Sequence, residues 1–355
     1  MMTILVINCG SSSTKYKLFR MPREKLISKG IIEHIGEKGS RIKDHYTGLK
    51  LILKRVNHVG VVGHRVVHGG EKFKRPVLVN QPVIRKIKQC CALAPLHNPA
   101  NLTGILACKA LLPGVKQVAV FDTAFHQTLP DYAYIYGLPY GYYKKFGIRK
   151  YGFHGTSHQY VAQEAARLLN KPLNKLKIIT CHLGNGCSIA AVAKGNSIDT
   201  SMGFTPLEGL VMGTRCGDID PALVSYIMRK KKLNLGQIDD ILNKESGLRG
   251  ISGISNDMRT LQEKSRRKDK RAKLAIDIFI YRIKKYIGAY TAAMEGCDAL
   301  VFTAGIGENQ KAIRKMICRG IFSQFKKKPG ILVIPTDEEL MIARQTYGLI
   351  KSERG

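Results

Sequence analysis

The sequence predicts an α/β protein built from two similar halves. Apolar, β-rich runs alternate along the chain with longer helical patterns, and strands alternating with helices indicate α/β architecture. There is also an internal similarity: residues 4–19 read ILVINCGSSSTKYKLF and residues 178–193 read IITCHLGNGCSIAAVA. Each is an apolar strand, a tight glycine-containing polar turn and a second apolar strand, a β-hairpin whose turn allows close backbone approach to a ligand. A duplicated domain with two such hairpins facing a shared cleft explains this economically. Two hairpins that merely resemble one another would give the same pattern.

In chain order, strands are expected at 3–8 and 14–19, either side of the first turn, then at 59–67 and 116–121. The second pair follows at 177–182 and 187–193, with further strands at 299–303 and 331–334. Helices are expected at 98–112, 157–169, 219–232, 270–294 and 337–350. No low-complexity linker divides the 355 residues, a length that fits two domains or one large one.

Composition narrows the class. Hydrophobic residues make up 44% and charged residues 24%, a globular balance. The longest apolar runs, such as 3–7 and 297–302, fall far short of the ~18–20 residues that span a bilayer. No basic segment precedes the first apolar stretch, so no secretory signal and a cytoplasmic location are expected. The nine cysteines contain no Cys-x-x-Cys pair and no zinc-like Cys/His spacing, which fits reduced, mostly buried thiols.

Lys plus Arg number 58 against 26 Asp plus Glu, a formal net charge of +32. That suits either a nucleic-acid binder or an enzyme handling anionic substrates. The basic residues cluster in short segments, at 229–232, 266–273 and 326–328, of the kind that solvated helix faces and loops produce. No nucleic-acid motif accompanies them, so the enzyme is favoured, with no membrane and no specific nucleic acid as partner.

Several segments have the residue types for phosphate chemistry. Asn8-Cys9-Gly10-Ser11-Ser12-Ser13-Thr14-Lys15 offers backbone N–H groups, hydroxyls and a charge around a phosphate, and Asn8 offers a carbonyl oxygen toward a metal-bound water. It is not the G-x-x-x-x-G-K-[ST] pattern. His182-Leu183-Gly184-Asn185-Gly186 contains Asn-Gly, which is equally an ordinary hairpin turn. Gly305-Ile306-Gly307-Glu308-Asn309 follows a strand, as nucleotide-contacting turns do. Arg65 sits in a strand fit for burial and so requires an anionic partner, either a substrate or an internal carboxylate. Asp122 ends the strand 116–121, His154 is flanked by glycines, and so is Arg215. Taken singly, a helix cap, a satisfied core histidine and an internal salt bridge explain these three residues.

Together the motifs resemble the acetate/propionate kinase family. Matching segments include INCGSSSTK (7–15), VGHRVVHGGEKF (62–73), APLHNPANL (94–102), VFDTAFHQTLP (120–130), YGFHGTSH (151–158) and HLGNGCSI (182–189). DTSMGFTPLEGLVMGTRCGDIDP (199–221), SGISNDMR (252–259), FTAGIGEN (302–309) and IPTDEELMIA (334–343) continue the series in family order along nearly the whole chain. The resemblance implies duplicated actin-like ATPase (ribonuclease H-like) domains facing a nucleotide cleft. Residues 1–147 would form the first, completed by a C-terminal helix at about 340–355, and 148–339 the second.

The resemblance also implies roles. Asn8 and Glu338 look like magnesium-site residues, with Mn²⁺ as a substitute for Mg²⁺. Lys15, Ser11 and Ser13 look like phosphate contacts. Nucleotide would lie against His182, Leu183, Gly184, Asn185 and Gly186, against Asp257, Met258 and Arg259, and against Gly305, Ile306, Gly307, Glu308 and Asn309. Arg65 looks like the substrate-binding arginine, with His97 secondary. Asp122 resembles the active-site acid, and His154 and Arg215 the transition-state stabilisers. The implied reaction is reversible, direct in-line phosphoryl transfer between ATP and acetate, giving ADP and acetyl phosphate, in a homodimer. Propionate kinase shares every one of these motifs, and the acyl choice rests on a small apolar pocket for which Val67, Leu96 and Pro206 are candidates. A non-catalytic, nucleic-acid-binding protein of the same fold is the alternative of a different class. Two departures stand out: the Lys-rich stretch from Gln310 to Leu332 looks shortened, and Met258 occupies a variable position that could face adenine.

Overall fold

The computed structural model describes residues 1–95 and 97–353. The chain divides into two compact units: Met1–Gln127 with Gly155–Tyr160 and Asp337–Gly355, and Thr128–His154 with Val161–Thr336. The boundary expected at 147 therefore lies within the second unit, and 155–160 returns to the first.

The first unit holds β1 (Met2–Cys9), β2 (Thr14–Met21), β3 (Lys25–Ile32), β4 (Val61–Val66), β5 (Val77–Leu78) and β6 (Lys116–Phe121), in sheet order β3-β2-β1-β4-β6-β5. Along β1, alternate side chains enter different cores, as the two-residue period of a strand requires. Ile4 and Val6 pack with Val61, Val118 and Val120, and with Ile342, Ala343 and Ile350 of the helix Glu338–Ser352. Leu5, Ile7 and Cys9 pack with Leu49 and Ile52 of the helix His45–Leu53, and with Ala107 and Cys108 of the helix Asn98–Leu111. A strand covered on both faces needs apolar residues at every position, which accounts for the unbroken run at 4–7.

The second unit holds β7 (Lys177–Leu183), β8 (Cys187–Ala193), β9 (Asn196–Thr200), β10 (Ala299–Thr303) and β11 (Gly330–Val333), in the order β11-β10-β7-β8-β9. The helix Lys270–Ala293 starts at Asp269, whose side chain accepts from Ala272 N, and buries Ala272, Ala275, Ile276, Phe279, Ile280, Ile283 and Ile287. That spacing of three and four is a single apolar helix stripe.

The two sheets repeat one plan. In each, three antiparallel strands (β1–β2–β3 and β7–β8–β9) are extended by two parallel ones, β4 and β6 beside β1, β10 and β11 beside β7. Each also has a register shift in its middle antiparallel strand, at Leu18/Phe19 and at Ala191/Val192, the same place counted from the strand start. Chance resemblance of two hairpins does not produce that coincidence. The turns differ, spanning 10–13 in the first unit and 184–186 in the second, so the ungapped pairing of 4–19 with 178–193 is one residue out of step beyond the turn.

β3 and β9 were not expected from the sequence. β3 is mostly exposed, so it lacks the apolar signal of a core strand. Among the described residues no helix is long and apolar enough to cross a membrane. The nine cysteines are free thiols, five of them buried.

The β4 segment carries two buried histidines. His64 bonds Gln117 at 2.7 Å, and His68 Nδ1 accepts from Gly70 N at 3.0 Å. Burial pushes both down from 6.5 to about 4, against the bond to Gln117 in the case of His64. The unfolded chain takes up protons at these sites where the folded chain does not, so stability is expected to fall as pH drops from 6.5 toward 4. Denaturant midpoints measured across that range check this, and His64→Gln should flatten the slope.

Candidate functional site

In the first unit the parallel neighbours β1, β4 and β6 bring their carboxyl ends together, where α/β sites form. Asn8, Arg65 and Asp122 meet there. Arg65 Nη2 and Nε donate to Asp122 Oδ2 at 2.6 and 3.0 Å, Nε also to Oδ1 at 3.2 Å, and Nη1 donates to Asn8 Oδ1 at 3.3 Å. Asp122 Oδ1 also accepts from Thr156 Oγ1 at 3.0 Å. Arg65 is thus the member of an internal ion pair, one of the two partners its burial allowed. Burial works against its charge, but Asp122 and Glu338 outweigh that and hold its pKa above the ordinary value.

Glu338, at the start of the helix Glu338–Ser352, stands 3.7 Å from Arg65 Nε. Burial, with Asp122 and Glu339 nearby, pushes its carboxyl up to about 7 despite Arg65 and Lys15. Lys15 lies opposite Asn8 across the β1–β2 ladder and is exposed.

The turn between β1 and β2 closes with Gly10 N donating to Ser13 O at 2.8 Å, while Gly10 O bonds His45 Nε2 at 2.8 Å. Ser11 and Ser13 belong to this turn. Two asparagines in the PLHNPAN segment brace the strand ends. Asn101 donates to Cys9 O and accepts from Val67 N, and Asn98 exchanges both its bonds with the backbone of His68. His97 stands at the N-cap of their helix. Thr156, Asn98 and Asn101 were all inside recognised motifs but were not singled out, because their partners lie 30 or more residues away in sequence. Of the acyl-pocket candidates, Val67 is buried and Leu96 lies outside the described residues.

In the second unit the turn Gly184–Gly186 is the centre of a different group. His154 adopts a left-handed backbone, φ 57°, rare for a residue with a Cβ and typical of held functional positions. Its Nδ1 bonds Ser188 Oγ at 2.9 Å, and its ring stacks on His182 with centroids 4.1 Å apart. A methyl group at Gly186 would lie 3.4 Å from Arg215 Nη1 and 3.5 Å from His154 Cε1, so both side chains close on the turn. Arg215 Nη1 donates to Pro206 O at 3.3 Å, and among the described residues no carboxylate forms an ion pair with Arg215. Burial alone lowers its pKa. The internal salt bridge that explains Arg65 is therefore lacking for Arg215.

The loop carrying Arg215 is locked at both ends. Tyr136 donates to Glu208 and accepts from Phe204 N, and Lys150 pairs with Glu208 at 3.3 Å. Asp218 accepts from Gly209 N at 2.8 Å and from Tyr286 OH at 2.6 Å. Gly209, at φ 106°, leaves no space for a Cβ, which would meet Ser201 O at 2.4 Å.

Beside the turn is a cavity of about 550 Å³ lined by Gly184, Asn185, Asn256, Asp257, Met258, Arg259, Gly305, Ile306, Asn309 and Gln310. It gathers the three segments expected to contact nucleotide. Asn256, which donates to Asn185 Oδ1 at 3.0 Å, and Gln310 were not anticipated. Met258 lines the wall although its side chain is buried. The 305–309 segment is a short helix, Ala304–Asn309, rather than an open turn, and is entered through Ala304 at φ 63°. Leu183 and Gly307 lie buried away from the cavity. Glu308 directs its carboxylate inward, accepting from Ala304 N at 2.8 Å and Thr336 N at 3.2 Å.

Duplicated sheets of this topology, each with a polar turn beyond its central strand, define the actin-like ATPase class. The Acetokinase family matches residues 3–55 and 49–326, and the chain belongs to that family. An acetate kinase of Halothermothrix orenii is 52% identical over 398 aligned positions, covering 99% of this chain and 100% of that one. The acetate kinase of Porphyromonas gingivalis superposes with a TM-score of 0.93 at 42% identity, over 99% of this chain and 100% of that one. A propionate kinase of Francisella tularensis superposes with a TM-score of 0.91 at 43% identity, over 97% and 99%. The alignment of 398 positions exceeds the 355 residues present, so relatives carry segments this chain lacks. The family match breaks at 49–55, on the helix His45–Leu53, a departure the sequence reading did not identify.

Proposed function

We propose that the protein transfers the γ-phosphoryl group of ATP to acetate, reversibly, giving acetyl phosphate and ADP. Arg215 carries this proposal. A mostly buried guanidinium with only neutral internal partners, beside His154 on a glycine turn that also lines a nucleotide-sized cavity, suits a phosphoryl group in transfer. Acetate is already ionised at neutral pH, so positioning and charge neutralisation outweigh base catalysis. In this scheme Arg65 binds the acetate carboxylate. Asp122, with both oxygens engaged by Arg65 and Thr156, orients that guanidinium rather than taking a proton. His154, fixed by Ser188, and Arg215 donate to the phosphoryl oxygens.

Glu338 and Asn8 fit a divalent cation of the Mg²⁺ or Mn²⁺ type. Both offer hard oxygen donors, and a carboxyl that burial pushes up to about 7 is one whose ionised form a bound cation would favour. Few protein ligands suffice for Mg²⁺, which keeps waters and phosphate oxygens. Bound there, the ion would supply charge neutralisation to the phosphates.

The exposed aromatic side chains of Tyr132, Tyr140, Tyr142 and Phe146 support a homodimer, since a second copy would cover them. A cytoplasmic location completes the proposal. Trapping acyl phosphate as the hydroxamate, with ATP, Mg²⁺ and acetate, is the direct test. A strong signal is expected, and its absence from well-folded protein would overturn the assignment. The propionate kinase neighbour motivates one comparison, kcat/KM on acetate against propionate, where acetate is expected to lead by the ~10-fold or more that one methylene permits.

A further inference from the structure

Residues 72–121 contain eight Lys and Arg and no Asp or Glu. The clusters at 229–232, 266–273 and 326–328 are denser runs of base; what marks this stretch is the absence of acid. In the structure six of its cations lie on two elements of the first unit that pack into one core cluster. The helix Gln81–Gln89 buries Ile84 and Ile87 and exposes Arg85, Lys86 and Lys88. Lys72, Lys74 and Arg75 are exposed on the loop before β5, and Phe73 between them packs in the same core cluster as Ile84 and Ile87. A methyl group at Gly70 would lie 3.4 Å from Cys90 Sγ, just beyond the end of that helix, so the loop carrying Lys72, Lys74 and Arg75 starts beside the helix end. None of these six forms an ion pair among the described residues; Lys116, at the edge of the stretch, is the one that does, with Glu353 at 3.4 Å.

From this we infer that the face formed by residues 72–75 and the helix Gln81–Gln89 docks a double-stranded nucleic acid through its phosphate backbone, without sequence preference. Six cations, none of them ion-paired among the described residues and with Glu71 the one acid bordering the stretch on the loop side, match a regular array of phosphates. The helix has no apolar face left to insert into a lipid surface, because Ile84 and Ile87 are in the core. Phe73, the aromatic of the patch, is buried and stacked on Phe121 at 4.3 Å, so no ring is available for the base stacking that holds single strands. Contacts to a duplex backbone remain.

Fluorescence anisotropy of the full chain with a labelled 20-base-pair RNA duplex, its single strand and an unrelated duplex tests this. Both duplexes should bind equally and more tightly than the strand, with log K against log salt sloping at about −5 for the six cations. The variant Arg85→Glu/Lys86→Glu/Lys88→Glu should lower that slope's magnitude by about three and weaken binding more than ~10-fold at 100 mM salt, with acetyl phosphate formation unchanged. The reversal Arg229→Glu/Lys230→Glu/Lys231→Glu, at an exposed helix end elsewhere, should leave duplex affinity within ~2-fold. Equal losses from the two triple variants would assign binding to net charge and overturn the proposal. So would preference for the single strand, or retention on anionic phosphatidylserine vesicles with no duplex binding.

Discussion

Arg215→Ala should lower kcat by ~10²–10³-fold, the ~3–4 kcal/mol typical of losing one donor to a developing anion, while the melting temperature stays where it was. The second half of that expectation follows from the structure. Arg215 neutralises no internal carboxylate; its bonds go to Pro206 O and, at 3.7 Å, to the Met212 sulfur. Removing it leaves no charge stranded, and the loop keeps its anchors at Glu208 and Asp218. Arg215→Lys should recover part of the rate, because an ammonium lacks the planar pair of donors. Measuring melting temperature and kcat on the same samples decides. A folded Arg215→Ala protein with near-normal kcat would sink the role given to this residue.

Arg65→Ala should behave differently, losing stability as well as rate. Asp122 is 1% exposed and would be left without its cation, with Thr156 as its remaining side-chain donor. Removing one member of a buried pair costs about 3–5 kcal/mol, and the lower end applies here because the Arg65 side chain is 20% exposed. Unfolding midpoints in urea should show that loss. The double variant Arg65→Met/Asp122→Leu should restore part of the stability and none of the activity, since two apolar side chains replace the pair while Glu338 still loses its neighbouring cation. An unchanged midpoint for Arg65→Ala would show that the pair contributes nothing to the fold.

The contrast between the two arginines marks where the sequence stops being informative. Both stand in tight motifs, and sequence alone left salt bridge and substrate contact open for each. Arg65 and Asp122 are 57 residues apart and meet because β4 and β6 are parallel neighbours, a fact of topology rather than of local pattern. The core strands were legible because burial on both faces demands unbroken apolar runs. β3 carries a weaker signal, its residues mostly facing water. At the nucleotide cavity the glycine segments were visible as motifs. The inward turn of Glu308 was not, since the donors to its carboxylate are Ala304 N and the distant Thr336 N. Asn256 was likewise hidden, its partner Asn185 being 71 residues away.

The helix Glu338–Ser352, which supplies Ile342, Ala343 and Ile350 to one face of the first sheet, sets a timetable for biosynthesis. By the time β6 leaves the ribosome every strand of that sheet has been made, yet the cover for Ile4, Val6, Val61 and Val118 is still more than two hundred residues from synthesis. At ~5–20 residues per second the bare face waits roughly 10–40 s. The second unit, whose last strand β11 ends at Val333, has all its strands before that helix emerges. The half of the protein made first is therefore the half finished last, and a nascent chain stalled before residue 338 presents an apolar sheet for chaperones to hold.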